Sequence, residues 1–353
     1  MGTFRRPFER AIRFFHLESW FRLLLLCVLV GIVSGIGAFA FDRTLRFLQS
    51  MLLDDWLFKE GRWQYVALVG VPALGGALVG ALGMWLAPEA TGHGTDSVIR
   101  AFHRNKGEIR ARIPIVKGVL SILTIGSGGS AGKEGPIVQI GAGFGSTLAT
   151  MLKLSIKDRR ILMLSGVAGG IGAIFKAPLG GALFAAEFLY RDPDFEHDAV
   201  IPGVISSVTA YSIFTAIDGN HNRIFQFVGQ DNRPLPPISY PSDGGNAFGE
   251  LIHYAILSLL CATVAYLFVK GLKLIEHYVF KPLPIPKFLK PALGGAMLGG
   301  LALLLMLTIS RVDTPANQVL GASEPSHIMG QGYGYLQKII NSAEDPTHVD
   351  HWV

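Results

Sequence analysis

Uncharged apolar runs of two lengths organise the chain. Leu23 to Phe41 carries no charged side chain and is long enough to span a hydrocarbon core of roughly 30 Å, so it predicts a first membrane helix. Tyr65 to Pro88 predicts a second, dense in glycine and ended by Pro88, with a polar loop from Asp54 to Arg62 between them on the far side. The runs then shorten to Gly118–Gly132, Gly135–Leu152, Ile161–Phe175 and Ala177–Ala186, each bounded by one charge or by glycine and proline. Short, interrupted apolar segments are the mark of broken helices whose ends meet near the bilayer midplane, where protein or a water-filled cavity must shelter the open backbone. Ala199 to Ile217 reads as a full span, and Asp218 to Asn246 as a polar, proline- and glycine-rich loop. Tyr254 to Val269 opens a long helix continuing through Lys273 and Glu276, Pro282 to Pro286 breaks the chain, and Pro291 to Ser310 predicts another span. Arg311 to Val353 is mostly polar, with a short helix predicted over Tyr335 to Ile340.

Composition narrows the class. Half of the 353 residues are apolar and only 16% are charged, with a mean hydropathy of +0.41. That balance excludes an ordinary soluble domain and leaves an all-α, polytopic integral membrane protein. The 43 glycines exceed the usual share of roughly 7% and predict a tightly packed bundle, since small residues let membrane helices approach closely. The net charge of +5 is spread over loops and the N-terminus, which fits a positive-inside bias and not a nucleic-acid partner. Arg5, Arg6, Arg10 and Arg13 stand among phenylalanines, so residues 1–17 predict an amphipathic segment on the cytoplasmic face. Glu18, Arg22 and the length of the next apolar run argue against a cleaved signal peptide. Cys27 and Cys261 lie inside apolar runs and are expected to be buried free thiols.

An internal repeat sets the domain organisation. Pro72-Ala73-Leu74-Gly75-Gly76-Ala77 recurs letter for letter as Pro291-Ala292-Leu293-Gly294-Gly295-Ala296. Gly92-His93-Gly94 is echoed in the same order by Gly330-Gln331-Gly332. This predicts a first transmembrane repeat over 18–217, a connecting loop over 218–246 and a partial second repeat over 247–353. Whether the copies are inverted in the membrane is not written in the sequence. The two offsets, 219 and 238 residues, would place a partner of Glu134 between positions 353 and 372, at or past Val353. The second repeat is therefore expected to stop short of its own anion-facing loop.

The stretch that carries chemistry runs from Ile125 to Gly145, and Lys133 and Glu134 are its only charges. They stand between a glycine/serine loop and a helix expected to start at Pro136, because proline suits a first helical position, where no amide hydrogen is needed. An ionisable pair between membrane-compatible flanks is a functional candidate. A helix N-terminus offers unpaired amides and partial positive charge, so Glu134 would compete with a mobile anion for them. Lys133 either draws anions or anchors the helix. Gly132-Lys133-Glu134-Gly135-Pro136, preceded by Gly126-Ser127-Gly128-Gly129-Ser130, closely resembles the signature of the CLC family of chloride channels and chloride/proton exchangers.

The resemblance follows segment order over nearly the whole chain and implies a CLC-type bundle of broken and re-entrant helices. It implies Glu134 as the gate and Gly92, His93, Gly94, Gly132, Lys133, Gly135, Pro136 and Ile137 as anion-binding positions. His93 and Thr95-Asp96 stand where the family usually has a serine and isoleucine-proline; Thr95 or Asp96 is expected to cap a helix over Ser97 to His103. The His93 ring either donates a hydrogen to chloride, more strongly when protonated, or points into packed protein. Ala177 to Phe188 resembles the family segment that ends in one or two glutamates. Glu187 fits the first, a structural acid, and Phe188 occupies the second, which in exchangers relays protons.

The expected function is chloride transport by a channel with a glutamate gate. The alternatives are a proton-coupled chloride exchanger or a non-conducting fragment needing a missing C-terminal part. The resemblance also implies chloride and the lipid bilayer as partners, a homodimer with one pore per subunit, and no cofactor. The expected setting is the plasma (inner) membrane with a cytoplasmic N-terminus. An enzyme is not expected: Gly-rich-Gly-Lys is similar to a phosphate-binding loop, but Ser127 and Glu134 stand where it needs glycine and serine or threonine. Gly332-Tyr333-Gly334 is similar to part of a potassium filter and lacks the Thr-Val that precedes it. A cation-coupled transporter is disfavoured by a single carboxylate beside a lysine at a helix N-terminus.

Overall fold

The computed structural model describes residues 19–57, 63–189, 197–219, 247–309, 328–333 and 336. The expected N-terminal segment 1–17, the loop over 220–246 and, except for Leu336, the helix over Tyr335 to Ile340 lie outside them. Among the described residues the structure is helical and contains no strand. In chain order the helices are α1 (Ser19–Gln49), α2 (Gln64–Leu86), α3 (Gly94–Arg104), α4 (Arg112–Gly126), α5 (Glu134–Met151), α6 (Ile156–Ile174), α7 (Pro178–Glu187), α8 (His197–Asp218), α9 (Ala247–Ile275) and α10 (Lys290–Ile309). Among the described residues five stretches are long and apolar enough to cross a membrane: Trp20–Leu53, Gln64–Leu86, His197–Asp218, Tyr254–Phe280 and Lys287–Thr308.

Several boundaries differ from expectation for local reasons. α1 does not end at Asp42 but continues to Gln49 and into a π-helical stretch, Ser50–Leu57, because Asp42 is buried against a partner and does not mark a water interface. α4 begins at Arg112, with Pro114 in its first turn, and ends at Gly126; Ser127 caps it and Gly128 follows at φ +98°. α3 starts at Gly94 and not at Ser97, so His93 and not Thr95 or Asp96 is its N-cap residue. α5 starts at Glu134, two residues before Pro136, which then occupies the third position of the first turn, where the missing amide still costs no helical bond.

The core is built on glycine and serine. Where α5 crosses α6, a Cβ added at Gly141 would overlap the Gly166 carbonyl, and one at Gly166 the Gly141 carbonyl. One turn on, a Cβ at Gly145 would strike the Leu162 carbonyl, so the helices run antiparallel with backbones in direct contact. Ser206 Oγ donates to the Ser165 carbonyl at 2.7 Å and ties α8 to α6.

The repeated hexapeptides meet each other. Leu68, Pro72, Gly76 and Gly80 on α2 face, in turn, Gly299, Gly295, Pro291 and Phe288 on or just before α10. Each step of four up one helix is matched by three or four down the other. The two copies are thus antiparallel and inverted with respect to one another, related by a local twofold axis. Pro72 has no amide hydrogen, so the Leu68 carbonyl four residues back loses its helical partner, and the bare α-carbon of Gly299 packs against that oxygen. Cys27 is buried as expected, but Cys261 is exposed on α9. An apolar run destined for lipid can face outward, so apolar neighbours in sequence did not entail burial.

Candidate functional site

Two helix starts converge. The segment before α3 turns at Gly92, whose φ of +84° suits glycine, and Gly94 then presses on the start of α5 so closely that a Cβ there would overlap the Gly135 carbonyl. Neither His93 nor Lys133, the two N-cap residues, makes a side-chain cap. The first amides of both helices are therefore left for another partner, with the positive ends of two helix dipoles side by side. Lys117, buried on α4, secures this arrangement: its Nζ donates to the Gly92 carbonyl at 2.7 Å and to the Ala90 carbonyl at 3.3 Å. Beside the start of α3 lies a cavity of about 720 Å³ lined by Glu89, His93, Asp96, Arg100 and Gln139, among others. Gln139 is 2% exposed, and its Oε1 has no hydrogen-bond partner.

Lys133 turns away from Glu134. Its Nζ donates to Asp42 Oδ1 on α1 at 3.1 Å, and both side chains are buried. Asp42 also pairs with Arg46, which reaches Asp218 at 3.4 Å, and Lys176 lies 3.7 Å from the same carboxylate. Alternating charges thus link the turn before α5 to the end of α8. Removing Asp42 would strand the buried Lys133 ammonium at a cost of about 3–5 kcal/mol, whereas Asp42 without Lys133 would keep Arg46. Glu134 is exposed, and its carboxylate accepts a hydrogen bond from the Tyr333 hydroxyl at 2.8 Å. The Tyr333 ring lies 5.2 Å from Lys133 Nζ, within cation–π range. Tyr333 is delivered by residues 328–333, which dock on the glycine/serine loop: the Gly330 amide donates to the Gly128 carbonyl at 3.2 Å, and the Ala131 amide to the Gly330 carbonyl at 3.3 Å.

The structure brings Gly92, His93 and Gly94 together with Gly132, Lys133, Glu134, Gly135, Pro136 and Ile137. His93 is exposed and lines the cavity, while Ile137 is fully buried. Glu187 is exposed at the last residue of α7 and takes no ion-pair partner among the described residues. Phe188 packs against the main core and stacks on Phe184 with ring centroids 5.3 Å apart. Sequence reasoning missed Asp42, Lys117 and Tyr333. The first two were signalled as single charges at the edge of or inside apolar runs; Tyr333 was set aside with the potassium-filter likeness.

Residues 75–352 match the family model described as voltage gated chloride channel. The chain is 32% identical over 213 residues to an uncharacterized protein of Methanocaldococcus jannaschii, a match covering 59% of this chain and 48% of that protein. It is 27% identical over 288 residues to the chloride channel protein CLC-e of Arabidopsis thaliana, covering 78% of this chain and 39% of that one. The chain thus spans about half the length, or less, of these relatives. The fold is similar to that of a slow cyanobacterial chloride/proton antiporter (TM-score 0.67, 20% identity, 93% of this chain and 74% of the other). It is also similar to a CLC-type fluoride/proton antiporter (TM-score 0.68, 20% identity, 95% and 84%).

Proposed function

We propose that this chain, which belongs to the voltage gated chloride channel family, carries chloride or a similar anion across a membrane past Glu134. The observation behind this reading is the meeting of α3 and α5, Gly94 against Gly135, with one carboxylate a single residue from the contact. Two uncapped helix starts in a shared space favour an anion, because their amides are unpaired and their dipoles add. Backbone groups of Gly92, Gly94, Gly132, Gly135 and Ile137 line the anion's place, Pro136 stiffens the turn, and the His93 ring faces it from the cavity. Lys133, neutralised by Asp42, anchors the turn. The Glu134 carboxylate competes with the anion for the same amides and so acts as the gate.

Passive conduction is favoured over proton exchange, since Phe188 holds no proton and its stacking on Phe184 leaves that position apolar. The working form is a homodimer with one pore per subunit in the plasma (inner) membrane, N-terminus cytoplasmic. In the full-length protein reconstituted in liposomes, Glu134→Gln is expected to abolish the pH dependence of chloride efflux. An unchanged pH response would remove Glu134 from the gate. Protons followed in the same vesicles are expected not to move uphill, and robust uphill proton movement would overturn conduction.

A further inference from the structure

The gate carboxylate has a resting place of its own. The Glu134 side chain folds back over its own turn, so that a Cβ added at Gly132 would collide with Glu134 Oε2. The other oxygen, Oε1, accepts the Tyr333 hydroxyl at 2.8 Å, the one hydrogen bond of this carboxylate among the described residues. Tyr333 is fixed from both sides. Its ring lies against the Lys133 ammonium, itself immobilised by Asp42, and its backbone follows a segment pinned by Gly128, Ala131 and the bond from Gln331 Nε2 to Gln49 Oε1 at 2.9 Å. We infer that the bare α-carbon of Gly132 and the Tyr333 hydroxyl form a berth that holds the Glu134 carboxylate off the amides of α3 and α5, leaving these to the anion. Tyr333 is thus a positioning residue for the gate, delivered by a part of the chain 199 residues away. The inference rests on Glu134 being the competing carboxylate.

Two substitutions evict the carboxylate by different routes. Tyr333→Phe removes the hydroxyl and keeps the ring against Lys133. Gly132→Ala fills the berth, and the atom it meets is the far end of a flexible side chain, so the turn itself is spared. Bromide binding to the purified full-length protein, followed by calorimetric titration, is the readout. Each variant is expected to bind bromide about tenfold more weakly, the worth of one hydrogen bond to a charged group, as the freed carboxylate competes for the amides. In the Glu134→Gln background Tyr333→Phe is expected not to change the affinity further, a non-additivity that a merely structural role would not produce. Parental affinity in both variants, beside an altered efflux in Glu134→Gln, would overturn the berth alone. An equal loss from Tyr333→Phe with and without the Glu134 carboxylate would overturn it too. A Glu134→Gln protein with parental affinity and parental efflux would overturn the berth together with the gate.

Discussion

None of the most apolar window of Tyr254–Phe280 is buried, and only 11% of that of Lys287–Thr308, against 44% for Trp20–Leu53. All three are apolar enough to leave water, yet Trp20–Leu53 is packed most deeply, Lys287–Thr308 meets α2 along one stripe, and Tyr254–Phe280 stands open. Residue size at the contact points separates α9 from the helices that pack. α5 and α6 carry glycine where they cross, and α6 and α8 carry serine, so backbones touch and hydroxyls find carbonyls. α9 presents Leu257, Leu260, Tyr266 and Phe268 outward, and its Gly271 has nothing within 4 Å. In lipid an apolar side chain gains little by leaving the solvent, so close shape and hydrogen bonding, not hydropathy, decide which helices pack.

Substitutions that trade size for hydropathy would break this contrast, and the largest effect belongs to the α5–α6 crossing. Gly166→Leu raises the hydropathy of α6 while driving a side chain into the Gly141 carbonyl, and is expected to cost more than about 3 kcal/mol, seen as loss of folded protein in detergent. A normal yield and melting temperature would mean that the crossing does not hold the core. Gly295→Val, where the two hexapeptide copies meet, is expected to cost about 1–3 kcal/mol by pushing α10 off the Pro72 carbonyl. A variant no less stable than the parent in thermal unfolding would show the α2–α10 junction to be loose. Leu260→Ala on α9 is expected to shift stability by no more than about 0.5 kcal/mol, because Leu260 is already 58% exposed. A loss of core size would mean that α9 has a packed neighbour.

Much of the fold was legible along the chain. The five long spans lie where uncharged runs lie, and the breaks fall at Gly92, Gly128 and Pro178, whose backbone geometry is local. The motif around Glu134 was equally legible, since glycine, a charge and proline in that order describe a helix start without reference to the rest of the chain. Hydropathy misled at Asp42, which looked like the end of a span and is a buried partner, and at Cys261, where an apolar run meant exposure. It marked Lys117 only as a charge beside an apolar run and gave no sign of the carbonyls at Ala90 and Gly92, more than twenty residues earlier in the chain, that it serves.

The sequence by itself determined which stretches leave water, where the helices break, and that a lone carboxylate sits at a helix start, because hydropathy and the φ preferences of glycine and proline act over a few neighbouring residues. Only the tertiary structure decided that the repeats cross antiparallel, that α3 and α5 begin at the same place, and which partners Lys133 and Glu134 take. Asp42 lies 91 residues from Lys133, and Tyr333 lies 199 from Glu134. Contacts at such separations exist only once glycine-lined crossings have brought the backbones together, and no local pattern of residues encodes them.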